Sequence, residues 1–199
     1  MVRARNPYRR PDAFTKAAKA KGYPARSVFK LEEIDRRVRL LRPGQRVLDL
    51  DAAPESWSMY ASERMGPTGK VLAIDITEVT AALGHNVQFV QGDALTLGSE
   101  ELAAFAPYHV VLSDMAPSTT GSRLADQTRS FDLFMRALEV ATELLLPGGS
   151  FVGKIFMSDD FPKAKAAVRG AFEEVRTLRP EGTRATSYEL FLVGLSRRG

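Results

Sequence analysis

The chain has no cysteine, which removes disulfide frameworks and thiolate metal sites from consideration. Its two histidines, His85 and His109, are too few for a histidine-based metal centre, so no metal site is expected. No apolar run approaches the roughly 20 residues that span a bilayer. The basic start is not followed by the apolar segment of a secretory signal, so a cytoplasmic protein with no membrane partner is the expectation. Glycine is missing where it would be most useful, with none between Gly44 and Gly66. Inside that gap lies Val47 to Trp57, an apolar strand that runs into a small-residue turn carrying a proline and an indole. In open α/β sheets, nucleotide-type ligands bind beyond the carboxyl ends of the strands, against the first strand-to-helix turn. Such turns usually rely on glycine for positive φ and for close backbone approach.

At 199 residues one domain is the natural expectation, with enough chain to bury a core without staples. The net charge of +4 is unevenly spread: the first 30 residues hold nine Lys or Arg and a single acid, Asp12. A basic arm on a near-neutral body is the electrostatic footprint of a phosphate-rich partner, because neutralised phosphates release counterions. Tyr8, Phe14, Tyr23 and Phe29 interleave with those charges and are placed to stack on bases or on the core.

Residues 1 to 11 form a lead with two prolines. A short helix capped by Asp12 runs to about Lys21, and Gly22 with Pro24 ends it. Val28, Leu31, Ile34, Val38 and Leu41 recur at steps of three and four, which predicts an amphipathic helix over 25–41 that carries Lys30 in its first turns. Strands are predicted at the start of the Val47 to Trp57 stretch and at 70–75, 87–91, 108–113, 150–156, 174–178 and 189–195, with helices at 56–65, 100–105, 128–146 and 161–172. This alternation predicts a mostly parallel sheet with helices on both faces. The last two strands are joined by about ten residues around Pro180 and Gly182, too few for a parallel crossover, so that pair should be antiparallel.

Acids gather at the predicted carboxyl ends of the strands: Asp49, Asp75, Asp93 and Asp114. Asp75, at the end of the second strand, is placed to bind ribose hydroxyls of an adenosine-containing ligand, and Asp93 to accept from an adenine amino group. Each alone is equally well a turn or cap residue. Lys154 sits inside the apolar run Ser150 to Phe156, where a buried ammonium is costly unless paired. It is either an edge residue reaching into water or a lysine held at the ligand edge of the sheet near Asp114, with Glu189 completing the cluster. Phe131, Leu133, Phe134, Leu138, Leu144 and Leu145 have the periodicity of core residues. Trp57 is placed either to pack against the sheet or to shape a cofactor pocket.

From about Tyr23 onward the chain resembles the FtsJ-like RNA 2'-O-ribose methyltransferases. The resemblance rests on Ala25 to Leu31, the Asp49 to Trp57 turn, Ser113 to Pro117, Pro147 to Lys154, and Ser187-Tyr188-Glu189. It implies a methyltransferase domain over 23–199, which leaves the basic arm read from the charge pattern over 1–22. The fold implied is a Rossmann-like seven-stranded sheet with an antiparallel last strand. It further implies S-adenosyl-L-methionine as methyl donor and a catalytic tetrad on Lys30, Asp114, Lys154 and Glu189. Candidate cofactor-binding residues are Asp49, Asp51, Ala52, Pro54, Glu55 and Trp57 in and around the turn, with Asp75, Asp93 and Asp114. The implied partner is RNA, ribosomal in preference to transfer RNA, and the expected oligomeric state is a monomer.

In the family the turn reads Asp-Leu-Gly-Ala-Ala-Pro-Gly-Gly-Trp, whereas this chain has Asp51 for the first glycine and Glu55 with Ser56 for the following pair. Asp tolerates left-handed backbone better than most residues and Glu does not share that ease. The two added acids would repel a cofactor carboxylate or favour its ammonium and sulfonium. A second reading is therefore a cofactor-impaired relative that serves as an RNA-binding or ribosome-assembly factor. A third, a nicotinamide-dependent oxidoreductase, lacks both the Gly-x-Gly-x-x-Gly turn and a Tyr-x-x-x-Lys pair.

Overall fold

The structure is a computed structural model that describes residues 13–79, 82–118, 120–183 and 187–199. The predicted lead over 1–11, Tyr8 and the cap residue Asp12 lie outside the described residues. In chain order the elements are α1 (Ala13–Ala20), α2 (Val28–Val38), β1 (Arg46–Leu50), α3 (Ser56–Met65), β2 (Lys70–Asp75), β3 (Val87–Gln91), α4 (Ser99–Leu102), β4 (Tyr108–Ser113), α5 (Arg123–Leu144), β5 (Leu145–Phe156), α6 (Phe161–Ala171), β6 (Phe172–Leu178) and β7 (Glu189–Arg197).

The seven strands form one sheet in the order β3-β2-β1-β4-β5-β7-β6. The first five are parallel where they pair, and β7 runs antiparallel between β5 and β6. The expected antiparallel last pair is therefore present. β7 gains a second partner in β5, with Lys154 opposite Phe191 and Phe156 opposite Glu189.

Side chains alternate between the two faces, so each strand feeds two cores. One face packs α2 and α3 through Leu31, Ile34, Trp57, Ala61 and Met65 against Val47, Val71, Leu112, Val152 and Phe191. The other packs α5 and α6 against Leu48, Leu72, Val111, Phe151, Ile155 and Leu192. On that second face Phe134 meets Phe151 edge-on at 5.6 Å and Phe151 stacks on Phe172 at 6.3 Å, geometries aromatic rings prefer. A Cβ at Gly153 would lie 2.7 Å from the Phe134 ring, so only glycine lets the strand pass there. Gly153 thus seats β5 tightly on the rings behind it and turns its neighbour Lys154 to the α2–α3 face.

Several predicted boundaries move. The 25–41 helix is shorter at both ends, because Arg39 takes a left-handed conformation (φ 53°) and its N–H closes on the Asp35 carbonyl. Buried Asp35 then accepts from the Leu41 N–H (2.8 Å), the Tyr60 hydroxyl (2.9 Å) and the Arg64 guanidinium (3.1 Å), which ties the end of α2 to α3. The 128–146 helix begins earlier, at Arg123, and yields to β5 at Leu145, whose strand pairing starts opposite Tyr108 and shifts register before Val110. Pro147 and Gly148 fall inside that irregular start. No helix among the described residues is long and apolar enough to cross a membrane.

α1 packs through Ala18 on Tyr23 and Val28. Of the aromatics in the basic segment, Tyr23 is buried and its hydroxyl donates to Glu63 at 2.5 Å, whereas Phe14 stays 40% exposed and meets Phe29 at 5.8 Å.

Candidate active site

The turn after β1 keeps glycine-like backbone without glycine. Asp51 has φ 72° and Glu55 has φ 61°, so two of the three substituted positions hold left-handed conformations that cost non-glycine residues roughly 1–2 kcal/mol each. Glu55 adopts this conformation although Glu lacks the ease with which Asp does so. The reason is that the surrounding contacts over-determine the turn: the Ala53 N–H donates to Asp75 at 2.8 Å, and the main-chain N–H groups of Asp51 and Ala52 both donate to the Ile74 carbonyl at 3.0 Å.

Ser56 does what a glycine could not. Its Oγ accepts from the Ala25 N–H at 2.9 Å and donates to the Ala25 carbonyl at 3.2 Å. Next to it, the Trp57 indole N–H donates to the Ser27 carbonyl at 2.9 Å while the ring packs on Phe191 at 5.8 Å. These bonds clamp the start of α2 onto the turn and set Lys30 over β7. Trp57 is 3% exposed and belongs to the core, not to a pocket wall.

Lys30 Nζ lies 2.6 Å from Glu189 Oε1, with both side chains about 13% exposed. Lys154 Nζ lies 3.1 Å from Asp114 Oδ1 and also donates to the Asp114 main-chain carbonyl. Lys154 is 7% exposed on a central strand between β4 and β7, so the edge-strand reading is corrected: an interior ammonium is held here by a carboxylate. Asp114 Oδ1 and Glu189 Oε1 are buried and touch the ammonium groups without hydrogen-bond geometry, which leaves each with acceptor capacity.

A cavity of about 440 Å³ opens at the carboxyl ends of β1, β2, β3 and β4, and its wall residue Asp51 feels the Lys154 charge. Of the candidate cofactor residues, Asp51, Asp75 and Asp93 line it. Asp75 accepts from Ala53 N–H and from Thr77 N–H (2.7 Å), so it fixes the turn and retains lone pairs for another donor. Asp93 accepts from Leu95 N–H at 2.9 Å. Asp49, Ala52, Pro54, Glu55, Trp57 and Asp114 do not line the cavity. Asp49 is wholly buried beneath the turn, where Ser58 Oγ donates to it at 2.5 Å. Residues not singled out from the sequence supply the apolar walls: Ile76, Leu95, Met115 and also Leu133, which had been assigned to the core alone. Ile76 and Leu95 are 66% and 46% exposed, an apolar mouth that a bound planar group would cover. Their signal was position, since each follows a strand-end acid within two residues.

Burial pushes the carboxyl of Asp49 up to about 7, against the Ser58 hydrogen bond, with further repulsion from Asp114 and Asp75. Burial also pushes Asp51 up to about 7, against the nearby Lys154 ammonium, with Asp75, Asp114 and Asp49 adding to the rise. The cavity wall itself carries four carboxylates, Asp51, Asp75, Asp93 and Asp132, and one cation, Arg129. That combination favours a ligand bearing positive charge.

A model of the FtsJ-like methyltransferases matches residues 23–197. The chain belongs to the FtsJ-like methyltransferase family. It is 71% identical over 194 residues to a Sorangium cellulosum protein named ribosomal RNA large subunit methyltransferase E, covering 98% of this chain and 92% of that one. It is 49% identical to a Nitratidesulfovibrio vulgaris protein of the same name, over 94% of this chain and 95% of the relative. A Plasmodium falciparum crystal structure described as a ribosomal RNA methyltransferase superposes with a TM-score of 0.77 at 23% identity, over 89% of this chain and 100% of that one. This last likeness concerns the fold.

FtsJ-like methyltransferases use S-adenosylmethionine, and the cavity suits such a ligand. Its apolar walls would suit a planar base, and Asp51, Asp75 and Asp93 place carboxylates in the same wall that would suit hydroxyl, amino or cationic groups.

Proposed function

We propose that this FtsJ-like methyltransferase methylates a ribose 2'-hydroxyl of large-subunit ribosomal RNA. What supports this reading is the pair of ion pairs Lys30–Glu189 and Lys154–Asp114, carried on the neighbouring strands β5 and β7, where Phe156 pairs with Glu189 two residues beyond Lys154. A 2'-hydroxyl is a weak nucleophile, so catalysis requires that it be aligned and relieved of its proton. S-adenosylmethionine supplies the electrophilic methyl group. Lys154 holds the hydroxyl: as the free amine it takes up the proton and becomes the ammonium, and as the ammonium it only orients the oxygen; Asp114 orients Lys154 in either state. Lys30, paired with Glu189, holds the other side of the ribose. Asp51, Asp75 and Asp93 hold the cofactor, with Ala52 and Pro54 shaping the turn beneath it.

The basic arm over residues 1–22 serves the same reaction through phosphate contacts, which position an RNA without specifying its sequence. The protein acts in the cytoplasm as a monomer. The reading of a cofactor-impaired relative is not favoured. Both acid-bearing turn positions keep left-handed backbone, and Glu55 is buried outside the cavity wall.

The direct test is to map 2'-O-methyl groups on ribosomal RNA from cells with and without the gene. Loss of one large-subunit methyl group, restored by the wild-type gene, is the expected result. An unchanged map would replace the enzyme reading with that of a binding factor.

A further inference from the structure

A second cavity, of about 320 Å³, shares no lining residue with the first. Its walls include Arg123, Gln127, Phe156 and Tyr188. Tyr188 immediately precedes Glu189, and Phe156 is the strand partner of Glu189, so the cavity opens where the Lys30–Glu189 pair ends. Tyr188 is 51% exposed, unusual for a large aromatic, and the Arg123 guanidinium lies 4.2 Å from the centre of its ring.

The frame around the pair is fixed. Met157 N–H donates to the Tyr188 carbonyl at 2.9 Å, Gln127 Nε2 donates to the Met157 carbonyl at 2.5 Å, and Ser130 Oγ accepts from the Phe156 N–H at 2.9 Å. Opposite, Asp126 takes both the N–H and the hydroxyl of Thr120 at 2.9 Å, anchoring the loop before Arg123. Asp126 Oδ1 is thus taken up by Thr120, the Arg123 guanidinium lies over one face of the Tyr188 ring, and the rest of that half-exposed ring is left presented with Phe156 in the same wall. Those are the groups that grip an unstacked nucleobase with its phosphate.

The geometry points to a nucleobase-binding subsite at Tyr188 and Arg123, which stacks a nucleotide flanking the methylated ribose in the same RNA. This rests on the RNA-methyltransferase reading. It gives the enzyme a grip on its substrate separate from both the cofactor and the basic arm.

The test measures affinity for unmethylated large ribosomal subunits by sedimentation, with methyl transfer followed in the same preparations. Wild type is compared with Tyr188→Ala, Tyr188→Phe and Arg123→Ala. Tyr188→Ala should weaken subunit binding roughly 5- to 100-fold, the loss expected from one base stack. Tyr188→Phe, which keeps the ring face, should remain within about twofold of wild type. Arg123→Ala should lower the salt dependence of binding by about one phosphate contact. S-adenosylmethionine affinity should be unchanged in all three. Equal subunit binding by wild type and Tyr188→Ala overturns the subsite, as does Phe failing as badly as Ala. A wild type that binds subunits without methylating them sinks the enzyme reading, and the affinity comparison still decides the subsite.

Discussion

Lys154 and Asp114 meet at two points: the ammonium lies 3.1 Å from the carboxylate Oδ1 and also donates to the main-chain carbonyl of the same residue. A flexible four-carbon stem is thereby held in one position at the end of a central strand. Two acceptors from one residue fix direction as well as charge, which is what aligning a hydroxyl demands.

Lys154→Ala should lower kcat for methyl transfer by about 10²–10⁴-fold, the usual contribution of a positioned proton-transfer group, with RNA affinity within about twofold. Lys154→Arg should fail comparably, because a guanidinium keeps the charge but neither accepts a proton near neutral pH nor fits the same contacts. Single-turnover methyl transfer with bound RNA measures both. Retained turnover in the Arg variant would show that the site needs only positive charge.

Lys30 and Glu189 join α2 to β7 at 2.6 Å, and neither side chain is more than about 13% exposed. In a double-mutant cycle of urea unfolding, Lys30→Met and Glu189→Gln should each destabilise, and the double variant should lose less than their sum. The expected coupling is about 1 kcal/mol, within the range for contacting pairs. Additive losses would mean that the two residues hold their places independently.

The parallel sheet, the strand-end acids and the antiparallel final pair were legible because each has a local cause in period, position or connection length. Insertion of β7 between β5 and β6 was not legible from local pattern, since alternation reveals which face a residue occupies and not which strand lies alongside. The early end of α2 was hidden because Arg39, not glycine, takes the left-handed cap. Leu133 has the spacing of a core residue and also faces the cavity, a double role that helical periodicity cannot separate. Trp57 was equally balanced between core and pocket until its indole found the Ser27 carbonyl, a contact set by tertiary packing.

Asp49 and Asp51 titrate near 7 in the folded chain, well above the usual carboxylate range, chiefly because they are buried. The fold therefore binds more protons than the unfolded chain between pH 4 and 7, and stability falls as pH rises through that window. The loss is at most about 4 kcal/mol per group. Asp49→Asn should flatten the decline of Tm between pH 5 and 7.5. A decline as steep in the variant as in wild type would place its origin elsewhere.

Asp51 and Glu55 both occupy left-handed turn positions, but only Asp51 faces the cavity. S-adenosylmethionine carries one more positive charge than its demethylated product, so an ionised Asp51 should favour the cofactor over the product. Asp51→Gly should reduce that preference by about 5- to 10-fold at pH 8, the scale of one charge pair a few ångströms apart in a partly screened site. In wild type the preference should grow as pH rises through 7, because Asp51 ionises there. Glu55→Gly should leave both affinities within about twofold, since Glu55 does not line the cavity. Calorimetric titration of the two ligands at pH 6 and pH 8 measures all of this. Marked tightening of S-adenosylmethionine binding by Glu55→Gly would identify the natural turn as a damaged site, and a pH-independent preference in wild type would remove Asp51 from cofactor selection.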